Sequence, residues 1–349
     1  MAEPGALPLQ FVDADQVEQK CNEAVAVAVV ACADDTEGQT CYICLEGGSE
    51  EGLVRMCACR GGEGFAHVSC LARGAQVAVE HDATTGWARW YSCRQCQREY
   101  HGVVRCALGW ACWKTYVGRP EANLTRRDAM NQLGNGLHAA NHHEDALTVR
   151  KAELVTLWRL DTPEDTILTV KGNLANSYQR LGRNEQTLRL RRAVYNGRLE
   201  LMGEEHPKTL RAAYNYASSL GWWDESSPRD QQRFEEAKSL LRRTMPVAQR
   251  VLGENHDITH MMRLNYAETL YEDDRATLDD LREAVDTLVE TAPTVRRVFG
   301  NSHPLREHIE IGLQRARDAL SEAQAMRIRE LFEAELELGS EETQPSGDA

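Results

Sequence analysis

Seven cysteines and one histidine between positions 41 and 96 restrict this chain more than any other feature of it. Two residues separate Cys41 from Cys44, twelve lead to Cys57, one separates it from Cys59, and seven precede His67. Two more reach Cys70, twenty-two follow, and two separate Cys93 from Cys96. Eight soft or borderline ligands in four close pairs are what two tetrahedral zinc ions need, because each pair grips one edge of a tetrahedron. A set of buried free thiols has no reason to pair so regularly. The eight fill every coordination position, leaving none for water or substrate, so the two expected zinc ions are structural. The same segment is rich in Gly and has little helical periodicity outside Val68 to Glu80, as expected where metal rather than a large apolar core organises the backbone.

The remaining cysteines, Cys21, Cys32, Cys106 and Cys112, are scattered, and an odd total of 11 suits metal in a reducing compartment better than a disulfide framework. Cytoplasm or nucleus is the expected location. The opening MAEPGALPLQFVDADQ lacks the basic start and apolar stretch of a secretory signal. The most apolar run, Ala24 to Ala33, has about ten small residues against the roughly 20 of a membrane span, so a soluble protein without membrane insertion is expected. Lys plus Arg is 40 and Asp plus Glu 54, a net charge of −14 that argues against nucleic acid as a partner. Within the Cys-rich segment, two zinc ions and seven thiolates sum to +4 − 7 = −3, so charge is not what draws a partner to it.

Beyond residue 102 the pattern is helical throughout. Cys106, Trp110, Trp113 and Val117 recur at steps of four, three and four, a stripe on one face of a helix over 103–117. Gly172-Asn173-Leu174-Ala175 then aligns with Tyr214-Asn215-Tyr216-Ala217 and with Leu264-Asn265-Tyr266-Ala267, the last offset being lengthened by a polar insert around Asp224 to Gln231. Gln132-Leu133-Gly134 takes the same register upstream, giving four copies. A boundary marker also recurs, as Gly203-Glu204-Glu205-His206-Pro207, Gly253-Glu254-Asn255-His256-Asp257 and Gly300-Asn301-Ser302-His303-Pro304. Its Gly closes one helix in the left-handed conformation and its Pro suits the first turn of the next. A helix pair repeated in this way cannot bury its apolar face alone, so neighbours stack into a solenoid. The long charged helix from Pro304 to Leu338 reads as its cap.

The ligand order, the single residue between Cys57 and Cys59, and the motifs Cys41-Tyr42-Ile43-Cys44-Leu45-Glu46 and His67-Val68-Ser69-Cys70-Leu71 resemble the RING-CH (RING-variant) finger of ubiquitin ligases. The repeats resemble tetratricopeptide repeats of the kinesin-light-chain type. The first repeat departs by having Asp161 and Glu164 in place of the Gly-x-x-His marker, and the fourth by lacking a turn Gly after Tyr271. A PHD finger, a reader of histone tails, shares the ligand order. It usually has more residues between the third and fourth cysteines, fewer before the His, and a Trp two places before the seventh ligand, where this chain has Tyr91.

The RING-CH resemblance implies cross-braced chelation, with Cys41, Cys44, His67 and Cys70 on one zinc and Cys57, Cys59, Cys93 and Cys96 on the other. It implies no catalytic residue in the chain itself. Such a ligase docks a ubiquitin-conjugating enzyme and holds its ubiquitin thioester in a reactive pose. The docking patch of related fingers corresponds here to Ile43, Leu71, Arg94 and Gln95, although packing within a small core is the plain alternative for Ile43 and Leu71. Gly74 stands where such fingers usually carry a Trp, and Trp87 and Trp90 are candidates to fill that space. Gln97 and then Arg98 follow the last ligand, where a basic residue often comes first. A client protein or peptide would lie on the solenoid, where Gln132, Asn173, Asn215 and Asn265 share a register and offer carboxamides to an extended backbone. Hydrogen bonding between adjacent repeats is the alternative role for them. Cys106 reads as core, and the Arg run from Arg180 to Arg198 as a mostly solvated helix face. The expected fold is mainly α. It comprises an N-terminal extension with weak helix (1–38), a RING-CH finger (39–101), an α–α superhelical tetratricopeptide solenoid with its capping helix (102–338) and a disordered tail (339–349). The expected function is ubiquitin ligation, the alternative an inactive interaction scaffold of the same architecture.

Overall fold

The computed structural model describes residues 11–48, 50–221, 231–299 and 303–341, with side chains to residue 333. The polar insert from Asp224 to Asp230, the residues Gly300, Asn301 and Ser302 of the third marker, and the tail beyond Glu341 lie outside the described residues. Twelve α-helices are formed among those described. They are α1 (Ala14–Thr36), α2 (Val68–His81), α3 (Gly102–Tyr116), α4 (Leu124–Ala139), α5 (His143–Arg159), α6 (Glu164–Arg180), α7 (Asn184–Met202), α8 (Pro207–Leu220), α9 (Gln231–Leu252), α10 (Asp257–Tyr271), α11 (Leu278–Phe299) and α12 (Pro304–Glu341). A short 3-10 helix spans Gly86–Trp90, and among the described residues the β structure of the finger consists of isolated bridges. The chain forms two compact units, residues 1–190 and 191–349.

In the first unit, one apolar core runs without a break from Phe11 to Ala152, taking in α1, the finger, α3, α4 and part of α5. Of the stripe read on α3, Cys106, Trp110 and Trp113 are buried and Val117, at the C-cap, is half-buried; the rest of that helix from Val104 to Trp113 is buried too, Cys112 included. A one-face pattern understates α3 because neighbours cover it from several sides: α1, α2 and α4 all pack on it. The weak N-terminal helix is thereby part of the core. Asp13 caps α1 by accepting from the Gln16 amide at 3.0 Å. Farther along, Cys32 Sγ accepts from the Arg55 amide at 3.4 Å, and a Cβ at Gly52 would lie 2.3 Å from Val29 Cγ1. At the other end Trp113 Nε1 donates to the Phe11 carbonyl at 2.6 Å while Phe11 stacks on Trp110. Small Ala and Val side chains on α1 permit this close approach.

Within each unit, the helices from α4 onward stack as pairs in chain order, the arrangement of a TPR-like solenoid. Gly203 and Gly253 hold φ of 78° and 96°, the left-handed turn that ends α7 and α9. The marker's histidine has a local role the spacing does not reveal. His206, His256 and His303 each use Nδ1 to accept an amide from two residues on, at 3.1, 3.2 and 3.2 Å, capping α8, α10 and α12. In the second unit the repeated Tyr after the register Asn closes a clasp. Arg192 and Arg242 donate to Tyr216 and Tyr266 hydroxyls, which in turn donate to Glu236 and Glu283. Arg191 and Arg198 are buried, so the arginine run is in part interior, where the Arg191 guanidinium donates to the Asn215 carbonyl at 3.1 Å.

Burial of charge is most complete at Arg150 and Glu153, each 2% exposed and 2.8 Å apart. Arg150 lies over Gly134, where a Cβ would come within 2.7 Å of its guanidinium carbon, and it also donates to the Asn131 carbonyl and the Asn135 side chain. Removing one partner of such a pair leaves the other charge buried and unpaired, which costs about 3–5 kcal/mol. Arg150→Met is therefore expected to lower the urea midpoint strongly, and Arg150→Met with Glu153→Met to regain most of the loss, measured by circular dichroism on the full chain.

Candidate metal centre

Two short turns present half of the ligands. In the first, the Leu45 amide donates to the Cys41 carbonyl at 2.9 Å, and in the second the Gln97 amide donates to the Cys93 carbonyl at 3.0 Å. Leu45 and Gln97 both stand in the left-handed region, at φ of 66° and 59°. A non-glycine residue is held there at some cost, and the same geometry at both sites indicates that chelation sets it. Bridges Thr40–Gly47 and Ser92–Glu99 close the two turns. The third pair comes from α2, where His67 precedes the first turn and Cys70 lies within it, three residues on and on the same side. The fourth, Cys57 and Cys59, sits in irregular chain facing Gly64. At φ of 84°, with a Cβ position 2.6 Å from Cys59 Cβ, position 64 takes only glycine.

These elements gather Cys41, Cys44, His67 and Cys70 into one cluster and Cys57, Cys59, Cys93 and Cys96 into another, with the ligand atoms of each cluster within 4.8 Å of one another. Zinc at about 2.3 Å from sulfur and about 2.0 Å from nitrogen sets tetrahedral edges of about 3.8 Å between sulfurs and about 3.5 Å between sulfur and nitrogen. His67 Nδ1 lies 3.4 Å from Cys44 Sγ and 3.7 Å from Cys70 Sγ, and Cys59 Sγ lies 3.7 Å from Cys93 Sγ. Both donor sets fit two zinc ions in the interleaved arrangement. The far nitrogen of His67, Nε2, is 3.0 Å from the Gly47 carbonyl; donating a proton there keeps Nδ1 free as a ligand.

Electrostatics without a cation are unfavourable in both clusters. Burial, with Cys93 adding its charge, pushes the Cys57 thiol up to about 11, and burial together with Cys44 and Cys41 raises Cys70 to about 12. Burial also opposes ionisation of Cys41 and Cys96, yet backbone amides aimed at their sulfurs bring each down to about 7. Each cluster thus sets a thiol that ionises readily, Cys41 or Cys96, beside one that resists ionisation, Cys70 or Cys57. A divalent ion removes that conflict, supplying charge and bracing but no open coordination position.

Of the four residues named for docking, three line one open groove of about 720 Å³ along α2: Ile43, Leu71 and Arg94. Ile43 is 44% exposed, while Leu71, at 7%, is largely core. Gln95 is exposed and outside the groove lining, its Oε1 3.8 Å from Cys59 Sγ. Gly74 opens into the groove, and a Cβ there would meet nothing within 4 Å. Neither tryptophan fills the space, since Trp90 is fully buried and both Trp87 and Trp90 pack on Tyr116 of α3. Among the client candidates, Gln132 is buried and its Oε1 accepts from Arg105 at 2.7 Å; Arg105 also donates to the Trp90 carbonyl at 3.1 Å. Asn173 and Asn215 are half-buried on α6 and α8. Asn265 on α10 is buried, and its Nδ2 has no hydrogen-bond partner among the described residues.

A family model for the RING-variant domain matches residues 41–96, and one for the tetratricopeptide repeat matches 167–208 and 229–257. The chain thus carries a RING-variant domain followed by tetratricopeptide repeats. No curated protein matches it in sequence. Among solved structures it is similar to BtubC (BKLC) from P. vanneervenii, with a TM-score of 0.48 and 13% identity over 81% of this chain and 94% of that one. It is also similar to a Podosopora anserina putative kinesin light chain with nearly identical TPR-like repeats, at a TM-score of 0.45 and 14% identity over 66% of this chain and 97% of that one. No helix among the described residues is long and apolar enough to cross a membrane.

Because each cluster takes ligands from both sides of one ligand pair of the other in sequence, loss of one metal frees chain that the second needs. The intact protein is expected to carry two zinc ions by native mass spectrometry, and Cys70→Ser to retain fewer than one on average, with altered near-ultraviolet dichroism from the tryptophans. Retention of one full zinc with unchanged dichroism contradicts the coupling.

Proposed function

We propose that the protein is a ubiquitin ligase without a covalent intermediate, in which the finger docks a ubiquitin-conjugating enzyme along α2 and the repeats hold the client. The observation that carries the reading is the convergence of Ile43, Leu71 and Arg94 on one groove beside the first zinc cluster. Nothing in the groove need act as acid, base or nucleophile. The conjugating enzyme brings the thioester, the client brings the amine, and the finger contributes orientation, an effect large enough to account for catalysis by itself. The RING-variant domain at 41–96 is where proteins of this class act, and the zinc ions hold its two knuckles and α2 in fixed relation.

For the client, Asn173, Asn215 and Asn265 remain the proposed contacts. The unpartnered Nδ2 of Asn265 supports this for the second unit, since a buried donor gains from a peptide carbonyl what it lacks within the chain. Gln132 takes the other role, because Arg105 already engages its carboxamide. A reducing compartment, cytosol or nucleus, suits a module whose cysteines serve as metal ligands. The divisions at 39–101 and 102–338 serve as functional boundaries, finger and client platform, while the compact units divide at residue 190.

The second reading, an inactive scaffold, draws on Gly74. An aromatic anchor at the centre of a docking patch is often worth about 2 kcal/mol or more, and here that position is open. A discharge assay with free lysine and a panel of ubiquitin-loaded conjugating enzymes separates the two. Acceleration by the full chain is expected, with Ile43→Ala reducing it about tenfold, equivalent to about 1.4 kcal/mol. Gly74→Trp, which enters free space on an exposed helix face, is expected to raise the rate and tighten enzyme binding. Silence of the unaltered protein across the panel, with activity appearing only in Gly74→Trp, establishes the scaffold.

A further inference from the structure

Lys and Arg together number 40, and only six of them are lysine: Lys20, Lys114, Lys151, Lys171, Lys208 and Lys238. Lysine is ordinarily among the commonest residues of a globular protein. Here none occurs between Lys20 and Lys114, a span that holds the whole finger and most of α3, and none follows Lys238. Seven arginines lie between Lys20 and Lys114, so cations are present there and only primary amines are missing.

Packing demands arginine at some of these positions. Arg55 donates to the Gly61 carbonyl at 2.7 Å and lies over the Phe65 ring, and buried Arg105 makes its two hydrogen bonds to separate acceptors, which suits a planar fork of donors. At others it demands nothing. Arg60, Arg73, Arg94 and Arg98 are exposed. Arg73 reaches Gln76 at 3.5 Å, and the side chains of Arg60, Arg94 and Arg98 make no hydrogen bond or ion pair among the described residues. At such sites lysine would serve solubility as well, and the two residues differ in whether they can act as a nucleophile. Among the lysines elsewhere, Lys20 and Lys114 pair with Glu23 and Glu18 at 2.9 and 2.7 Å. Lys171 pairs with Glu164 at 3.4 Å and Lys238 with Asp280 at 2.5 Å, their side chains 21 and 16% exposed, and Lys151 lies over the Tyr178 ring.

We propose, resting on the reading of the protein as a ubiquitin ligase, that this distribution keeps the chain from modifying itself. In the transfer step the uncharged amine of a lysine attacks the thioester carbonyl. A C–N bond forms, the C–S bond breaks, and one amine proton passes through water to the departing thiolate of the conjugating enzyme. A guanidinium stays protonated with its lone pairs delocalised, so arginine gives the same charge and no acceptor. A lysine on the finger would stand near the docked thioester in every turnover, at an effective concentration on the order of millimolar, whereas the amine of a client is there only while the client is bound. Arg89 and Arg94 line the proposed docking groove itself, where an amine would compete most strongly.

Reactions of the full chain with ubiquitin-loaded conjugating enzyme, run with and without free lysine, give two readouts. Discharge to free lysine reports ligation, and mass spectrometry of tryptic peptides reports ubiquitin on the chain. The unaltered protein is expected to discharge the enzyme and to stay unmodified. Arg60→Lys with Arg73→Lys keeps the charge at two exposed positions of the finger. This variant is expected to match the unaltered protein in dichroism, zinc content and discharge to free lysine, yet to acquire ubiquitin on itself about tenfold faster or more. Ubiquitin on the unaltered chain at the rate of the variant, or a variant that discharges the enzyme and stays unmodified, overturns the proposal and leaves the ligase reading standing. Absence of discharge by both proteins overturns the ligase reading and the proposal with it.

Discussion

Four sulfur or nitrogen atoms crowded within 4.8 Å of one another, twice over, repel as soon as more than one thiol ionises, and a divalent cation turns that repulsion into a clamp. The finger depends on this exchange because its described residues form little other regular structure: three isolated bridges, one helix and a 3-10 turn. Chelation holds Leu45 and Gln97 in backbone conformations that neither residue favours. It also anchors the first turn of α2 through His67 and Cys70, and with it the position of Leu71 and of the groove that follows. The location of the groove, the proposed docking surface, is thus a consequence of coordination geometry, one helix turn removed.

The clamp does not stand alone in space. Trp90 turns inward onto Tyr116, Arg105 ties the Trp90 carbonyl to Gln132 of α4, and Cys32 of α1 reaches the backbone of Arg55 in the finger. Burial lowers the Arg105 guanidinium to about 10, but its two hydrogen bonds keep the charge satisfied. Within residues 1–190 the finger therefore shares one core with the first helix pair and is not a bead on a string. The proposed ligation, which works by orientation, gains from this, since a platform that swings freely would lose the entropy advantage that orientation provides.

What could be read from the residues follows what each interaction demands of the sequence. Metal ligands are chemically rare and their spacing is tight, so all eight stand out. Their interleaving does not follow from the spacing, because several pairings satisfy it, and rests on the resemblance. The repeat register was visible in the Asn and Gly-x-x-His positions, but the capping by His206, His256 and His303 was not, histidine being an uncommon cap. Harder still were α1 and the buried arginines. An Ala- and Val-rich helix of weak amphipathicity gives no sign of the surface it meets, and arginine is so often solvated that Arg150, Arg191 and Arg198 look like surface until their partners are seen. Gln132 shows the same limit: register puts it level with Asn173, and only the placement of α3 beside α4 turns its carboxamide toward Arg105.

Gly74 is the residue at which the fold bears most directly on the proposed activity. Glycine in an exposed helix interior costs about 1 kcal/mol relative to alanine, and nothing near position 74 needs the missing side chain, since a Cβ would touch no neighbour. Packing therefore gives no account of the residue. With Ala78 one turn on, it leaves a recess between Ile43 and Val77, both still partly exposed to water. An apolar recess gains free energy only when a second surface fills it. A partner that carries its own bulky apolar side chain fits there, whereas one that relies on an aromatic supplied by the finger does not. On the proposed reading, which conjugating enzymes this finger accepts is then set by a side chain it lacks.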